Sequence, residues 1–128
     1  MRQGNINLTV AGASIQGTSM ASSFTTDPVN LISIYAYSIQ VVWSGGTAPN
    51  GTFFLQGSND SGDLGSGQAV TPPTNFTTIT NSPQVISGTP GSILFDVTEC
   101  SYRWVRLAYA AGSGSAAISD GTMNVKGV

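Results

Sequence analysis

Residues 31–43 read LISIYAYSIQVVW, the longest mainly apolar run in the chain. Ser33, Ser38 and Gln40 interrupt the run, which falls short of the about 18 apolar residues that a membrane-spanning segment needs. Its apolar side chains fall on both faces of a strand with a period of two, as in a strand that is covered on both sides. We therefore predict a central β-strand over 31–43 and no membrane insertion.

Shorter segments of the same period of two follow one another along the rest of the chain. Ile6, Leu8 and Val10 alternate with polar residues. In 102–110 we predict that Val105, Leu107 and Tyr109 face the core, while Trp104 and Arg106 point the other way. Gly, Pro and Asn-Gly breaks separate these segments, and no long amphipathic helix is apparent. Including the central strand, we predict about eight strands, the others lying near residues 5–10, 15–20, 52–56, 76–80, 93–97, 102–110 and 122–126.

The spacing of these strands predicts their arrangement. The glycine-rich break at 44–51 predicts a long hairpin between the central strand and 52–56, with Phe53 and Phe54 pointing to opposite faces. Eight short strands in 128 residues predict one all-β domain over 1–128, a two-sheet antiparallel sandwich. An eight-stranded jelly roll is favoured because it limits exposed sheet edges. An immunoglobulin-like sandwich is the alternative, although its Cys and Trp pattern is missing.

The charge content narrows the possible partners. Only 8% of residues are charged and the formal net charge is −2, which is too weak a field for nucleic-acid binding through phosphates. Serine, threonine and glycine are abundant and solvate the surface in place of charged groups. A surface with so little like-sign repulsion suits permanent contact with neighbouring subunits, and a sparsely charged monomer is the alternative.

Few residues are suited to catalysis or metal binding. Histidine is absent and Cys100 is the one cysteine, so Ser-His triads, disulfides within the chain and Cys/His zinc sites are excluded. We expect Cys100 to be a small buried apolar residue, and we expect no cofactor and no enzymatic activity. Asp60 and Asp63 are weak candidates for a hard cation such as calcium, but Asp beside Gly more often forms a turn.

The two tryptophans offer a different kind of site. Exposed aromatic rings bind the faces of sugars, which makes Trp43 and Trp104 weak candidates for contact with a glycan or receptor. Both rings lie in strongly apolar strands, where a ring more often packs within the sheet. The interpretation of these residues as core therefore stands beside the interpretation as a binding platform.

Four segments together resemble the small structural proteins of bacteriophage virions. They read YSIQVVWSG at 37–45, GTFFLQGSND at 51–60, YRWVRL at 102–107 and MNVKG at 123–127. In similar proteins a tryptophan often follows the Ser-Asn-Asp stretch, where this chain has Asp-Leu-Gly at 63–65. The resemblance implies a β-sandwich or jelly-roll subunit on the virion exterior, such as a head decoration, cement, spike or fibre component, and it implies no catalytic residues.

From these observations we expect a non-enzymatic virion structural protein, a capsid-associated decoration, cement or minor capsid subunit. Its expected partners are other copies of itself and other capsid proteins, as a homo-oligomer for which a trimer is one arrangement. The first residues lack the apolar core of a secretory signal, which fits a virion assembled in the host cytoplasm. The alternative is a receptor- or glycan-binding domain that uses Trp43, Trp104 or the polar loop 58–74.

Overall fold

The structure is a computed structural model that describes residues 2–60, 73–87 and 91–127. In these ranges the regular structure is entirely β, which confirms the predicted class, and no helix there is long and apolar enough to cross a membrane. The strands are β1 (Arg2–Asn7), β2 (Thr9–Val10), β3 (Ala13–Ser14), β4 (Phe24–Thr25), β5 (Val29–Asn30), β6 (Ile34–Ser44), β7 (Asn50–Ser58), β8 (Thr77–Thr78), β9 (Gln84–Ser87), β10 (Gly91–Val97), β11 (Trp104–Ser113) and β12 (Ala117–Gly127).

Two antiparallel sheets contain most of these strands. The first sheet has the order β1-β12-β6-β10. In the second sheet β11 pairs with β7, while β4 and β5 pair with the other side of β11, and β8 and β9 pair with the other side of β7. β2 and β3 form a small separate ladder. The predicted two-sheet antiparallel sandwich is confirmed.

The short strands of the second sheet come in two pairs, and the two members of each pair lie along the same side of one long strand. If β4 with β5, and β8 with β9, each count as one position, and the β2–β3 ladder is left out, the described residues form eight positions. In chain order the sheets then read 1-8-3-6 and 2-7-4-5. Every connection except that between positions 4 and 5 therefore passes from one sheet to the other.

The inward faces of both sheets share one core. Phe53 of β7 is fully buried, and its ring lies between Trp43 of β6 and Tyr109 of β11, with centroid distances of 5.8 and 4.5 Å. The predicted inward positions of 102–110 are confirmed. The long strands contribute the buried side chains Tyr37, Ile39, Val41, Trp43, Phe53, Leu55, Phe95, Val105, Leu107, Tyr109, Ile118 and Met123.

β6 is an internal strand, as predicted, but it begins at Ile34 rather than at residue 31. The Asn30 side-chain oxygen accepts a hydrogen bond from the Ile32 N–H at 2.9 Å, which forms a turn. Ser33 then adopts a φ of 63° in the left-handed region, which no regular strand contains. The apolar run is therefore divided into a turn that exposes Ile32 and a strand that follows it.

The predicted hairpin between the central strand and 52–56 is wrong. β6 pairs with β10 and β12, whereas β7 pairs with β11, so the break carries the chain from one sheet to the other. Gly45 and Gly46 both have positive φ, which permits the sharp turn. The Thr47 N–H donates to the Ser115 hydroxyl at 2.9 Å, which holds this crossing against the connection between β11 and β12.

The predicted weak strand at 15–20 is also wrong. Ile15 and Met20 are buried, but the chain turns between them, because the Thr18 N–H bonds to the Ile15 carbonyl and Gly17 has a φ of 86°. The prediction also missed β3, β4, β5 and β9, which are two to four residues long and have no clear alternation. Of the predicted strand at 76–80, β8 contains two residues.

Candidate functional site

A groove of about 280 Å³ crosses the outer face of the first sheet. Tyr37 and Ile39 point into the core, so Ser38 between them points outward. Ser38 pairs with Asp96 on β10 at one side and with Asn124 on β12 at the other. The outward side chains that line the groove are Ala36, Ser38, Asp96, Thr98, Asn124 and Lys126.

The shape of this groove follows from side-chain size. Ala36 and Ser38 are small and lie along β6, while Lys126 pairs with Ala36 and Asn124 pairs with Ser38 on the neighbouring strand. Asp96 and Asn124 are two strand spacings apart, roughly 10 Å. The walls offer a carboxylate, a carboxamide, an ammonium group and hydroxyls, which can hydrogen-bond a polar ligand or the backbone of another subunit.

Asp60, a predicted weak candidate for a cation, uses its carboxylate inside the fold. Its oxygens accept hydrogen bonds from the N–H groups of Thr74 and Asn75, both at 2.8 Å. These bonds stabilise the ionised form and lower the pKa of the carboxyl below its usual value. They also tie the two ends of the polar loop together, which is a contact between residues distant in the sequence rather than the local turn of the sequence interpretation.

The other half of the cation prediction cannot be placed. Asp63 lies outside the described residues, as does most of the loop 58–74. Within the part of the chain that the structure describes, no group of three or more His, Cys, Asp or Glu side chains could hold a metal ion.

Both tryptophans are buried, which argues against the exposed platform that a sugar needs. Trp43 is 4% exposed and stacks on Phe53 at the centre of the core. Trp104 points to the outer face of the second sheet, as predicted, but it is only 6% exposed. Its indole N–H donates to the Asp60 backbone carbonyl at 3.0 Å, so the residues that begin the polar loop cover it.

The outer face of the second sheet has a cation that the sequence gave no reason to single out. The Arg106 guanidinium lies 4.0 Å from the centre of the Phe76 ring and donates to the Gln56 side-chain oxygen at 2.7 Å. Partial burial lowers the pKa of Arg106 from its ordinary value. The contact ties the chain that follows the polar loop to the middle of the sheet.

Cys100 lies at one end of the core, partly buried beside two tyrosines. Burial raises the pKa of the thiol, and its sulfur approaches the Ile34 carbonyl at 3.6 Å. The hydroxyls of Tyr37 and Tyr102 hydrogen-bond at 2.6 Å, and burial raises the pKa of both phenols. A thiol with a raised pKa is a poor nucleophile, so this group serves to pack the core.

Comparison with known proteins adds no identification. No protein-family model, no curated protein and no solved structure matches the chain.

Proposed function

We propose that this chain is a non-enzymatic virion structural protein, a capsid-associated decoration, cement or minor capsid subunit assembled in the host cytoplasm. The observation that supports the proposal is the two-sheet antiparallel sandwich with the strand order 1-8-3-6 and 2-7-4-5. We interpret this order as that of a jelly roll. Viral capsid proteins use this fold repeatedly, as do lectins, so the fold alone is support by analogy.

The surface of the sandwich supports the same role. Outward positions of the first sheet are mostly amides and hydroxyls, such as Asn5, Asn124 and Ser38 in one row across three strands. This row can hydrogen-bond a neighbour without the cost of removing a charge of its own from water. Together with a net charge of −2, it suits close packing of identical copies and of other capsid proteins.

The mechanism we propose is stabilisation by mass action. Each copy that binds only the assembled shell lowers the free energy of the shell relative to its dissociated parts. A modest contact repeated at every equivalent position of the lattice then resists heat and loss of counterions. No step requires a reacting group, and the partly buried Cys100 and the hydrogen-bonded Asp60 both make contacts within the fold.

The proposal is tested with particles that lack this chain. Their infectivity is measured after graded heating in low and high salt, before and after addition of the purified protein. We expect added protein to raise the temperature of inactivation while adsorption to cells at room temperature is unchanged. The structural role is contradicted if the inactivation temperature is the same with and without the protein while the protein increases adsorption to cells.

A glycan- or receptor-binding domain of a spike or tail fibre is the second candidate, and the groove on the first sheet favours it. Asp96, Ser38 and Asn124 present acceptors and donors at a spacing that suits a hydroxyl-rich ligand. The test is a glycan screen of the purified chain, with Asn124→Ala as the groove variant. Binding that this variant abolishes favours the second candidate over the structural role.

A further inference from the structure

The first sheet ends at β10, and one side of this strand pairs with no other strand in the described ranges. Leu94 at the centre of β10 is 57% exposed. A seven-residue edge without a bulge and with an exposed apolar side chain is a template for pairing with another strand, and proteins usually shield such edges.

The hydrogen bonds of the sheet show which β10 residues direct their backbone groups to the free edge. The Leu8 N–H donates to the Gly121 carbonyl, so Gly121 of β12 faces β1. Successive residues alternate in direction, so the backbone groups of Thr122 face β6, where its partner is Gln40. The backbone groups of Gln40 therefore point toward β12 and away from β10. The partner of Gln40 on β10 is Leu94, whose backbone groups are then free to face outward.

A side-chain contact on this edge agrees with that direction. The Gln84 side-chain amide donates to the Leu94 carbonyl at 3.2 Å. Because backbone direction alternates along a strand, Ser92 and Asp96 face the free edge as well. The edge therefore presents three residues with outward N–H and C=O groups, of which the central carbonyl is bonded to a flexible side chain.

We propose that two copies of this chain associate through the free edge of β10, antiparallel about a two-fold axis at Leu94. In this register Leu94 faces Leu94 of the second copy, and Asp96 faces Ser92 of the second copy on both sides of the axis. All seven residues of β10 find partners, and the two first sheets become one continuous eight-stranded sheet.

The occupant is a second copy because the edge is complementary to itself. The carboxylate of Asp96 meets a serine hydroxyl, whereas a register centred on Asp96 would bring two carboxylates together. Shifting the register in either direction also leaves residues of β10 unpaired. Gln84 must leave the Leu94 carbonyl for the central pair to form, so the side chain acts as a removable cap on the edge.

The contact is small and its strength depends on repetition. Stable interfaces bury roughly 1,200 Å² or more, which exceeds what one edge of seven residues offers, so the free chain dimerises weakly. In a shell, where neighbours are held at high local concentration, the same contact is formed far more completely. The inference deepens the proposed assembly role by naming its self-association surface, and it is tested on the isolated chain.

The experiment is sedimentation equilibrium of the purified chain over a wide concentration range. Ser92→Asp places a second carboxylate opposite Asp96, so we expect the dimer dissociation constant to rise about 2- to 30-fold over its two symmetric pairs. Ser92→Lys supplies an opposite charge, so we expect tighter dimers, and added salt should shrink both effects. Ser22→Asp and Ser22→Lys are the matched controls, because Ser22 is also an exposed serine but lies outside both sheets.

A charge exchange fixes the register. Ser92→Asp combined with Asp96→Lys restores an attractive pair, so we expect dimerisation to recover in this double variant. The proposal is overturned if the double variant stays monomeric, or if Ser92→Asp and Ser92→Lys have equal dissociation constants. Far-UV circular dichroism on every variant shows whether the fold is retained. Particle binding is measured separately, so a chain that dimerises but ignores particles refutes the assembly role and keeps the edge contact.

Discussion

Replacing Phe53 by alanine tests whether one aromatic cluster holds the two sheets together. Phe53 is fully buried and contacts Trp43 of the first sheet and Tyr109 of its own sheet. Truncating a buried phenylalanine costs about 3–5 kcal/mol, through lost transfer free energy and the cavity that remains. We therefore expect the free energy of unfolding to fall by about 4 kcal/mol, a large share of the stability of an ordinary domain.

The expected change in melting temperature follows from the chain length. An unfolding entropy of about 2.1 cal/mol/K per residue gives roughly 0.27 kcal/mol/K for 128 residues. A loss of about 4 kcal/mol then lowers Tm by about 15 °C. The neighbouring Phe54 is half-buried on the outer face, and Phe54→Ala removes the same atoms at a cost of about 1 kcal/mol, or about 4 °C.

The assay is thermal unfolding followed by circular dichroism, with urea titration as a second measure. Phe54→Ala is the matched control, because the two residues are adjacent in β7 and undergo the same substitution. If the two variants lose equal stability, or if Phe54→Ala loses more, then the inward face of β7 has been misassigned and the shared core is refuted.

Three further changes test other parts of the fold. Gly51→Ala places a Cβ against the Tyr109 hydroxyl and the Ala110 carbonyl, so we expect the free energy of unfolding measured in urea to fall by about 1–3 kcal/mol. Gly4→Ala serves as the control, because its Cβ makes only an ordinary contact with Val125. Hydrogen bonds lower the pKa values of Asp27 and Asp60, so the stability that the two carboxylates give to the fold is present above about pH 4 and is lost as pH falls further. The double variant Asp27→Asn with Asp60→Asn should therefore show a smaller fall in Tm with acid. A fall in Tm equal to that of the unchanged chain contradicts this. Burial raises the pKa of Tyr37, Tyr102 and Tyr109, so stability is lost as pH rises above about 10, and absorbance titration should show these phenols ionising as the chain unfolds rather than before.

The sequence predicts the long strands well because one buried face leaves a readable alternation. Val105, Leu107 and Tyr109 are inward as expected, and Phe53 and Phe54 do face opposite sides. Edge strands such as β4 and β9 are short, contact the core with few residues, and so leave no pattern of their own. Their existence depends on the long strands that they pair with.

The pairing of strands could not be obtained from local patterns. A glycine-rich break looks the same whether it closes a hairpin or carries the chain to the opposite sheet, and residues 44–51 do the second. What decides between them is contact with the connection at Ser115, which is far away in the sequence. The segment from Ile15 to Met20 is predicted as a strand because it begins and ends with apolar residues. Both of these residues are buried, but a turn rather than a strand connects them.

Among the candidate sites too, local sequence patterns predict some features and only the folded structure reveals others. The weak status of Asp60 as a cation ligand followed from its turn composition, and the structure gives its carboxylate backbone partners. The groove over Ser38 could not be predicted, because Asp96 and Asn124 meet there only after three strands adopt their register. Burial of Trp104 on an outward position likewise requires the carbonyl of Asp60 to reach it.

The central proposal, that this chain is a capsid-associated subunit, is tested most directly by titrating purified protein onto particles that lack it and measuring the bound mass by light scattering. We predict saturable binding at many copies per particle, with a plateau that reflects the repeat of the shell. Particles whose mass does not change on addition of the protein contradict the proposed role.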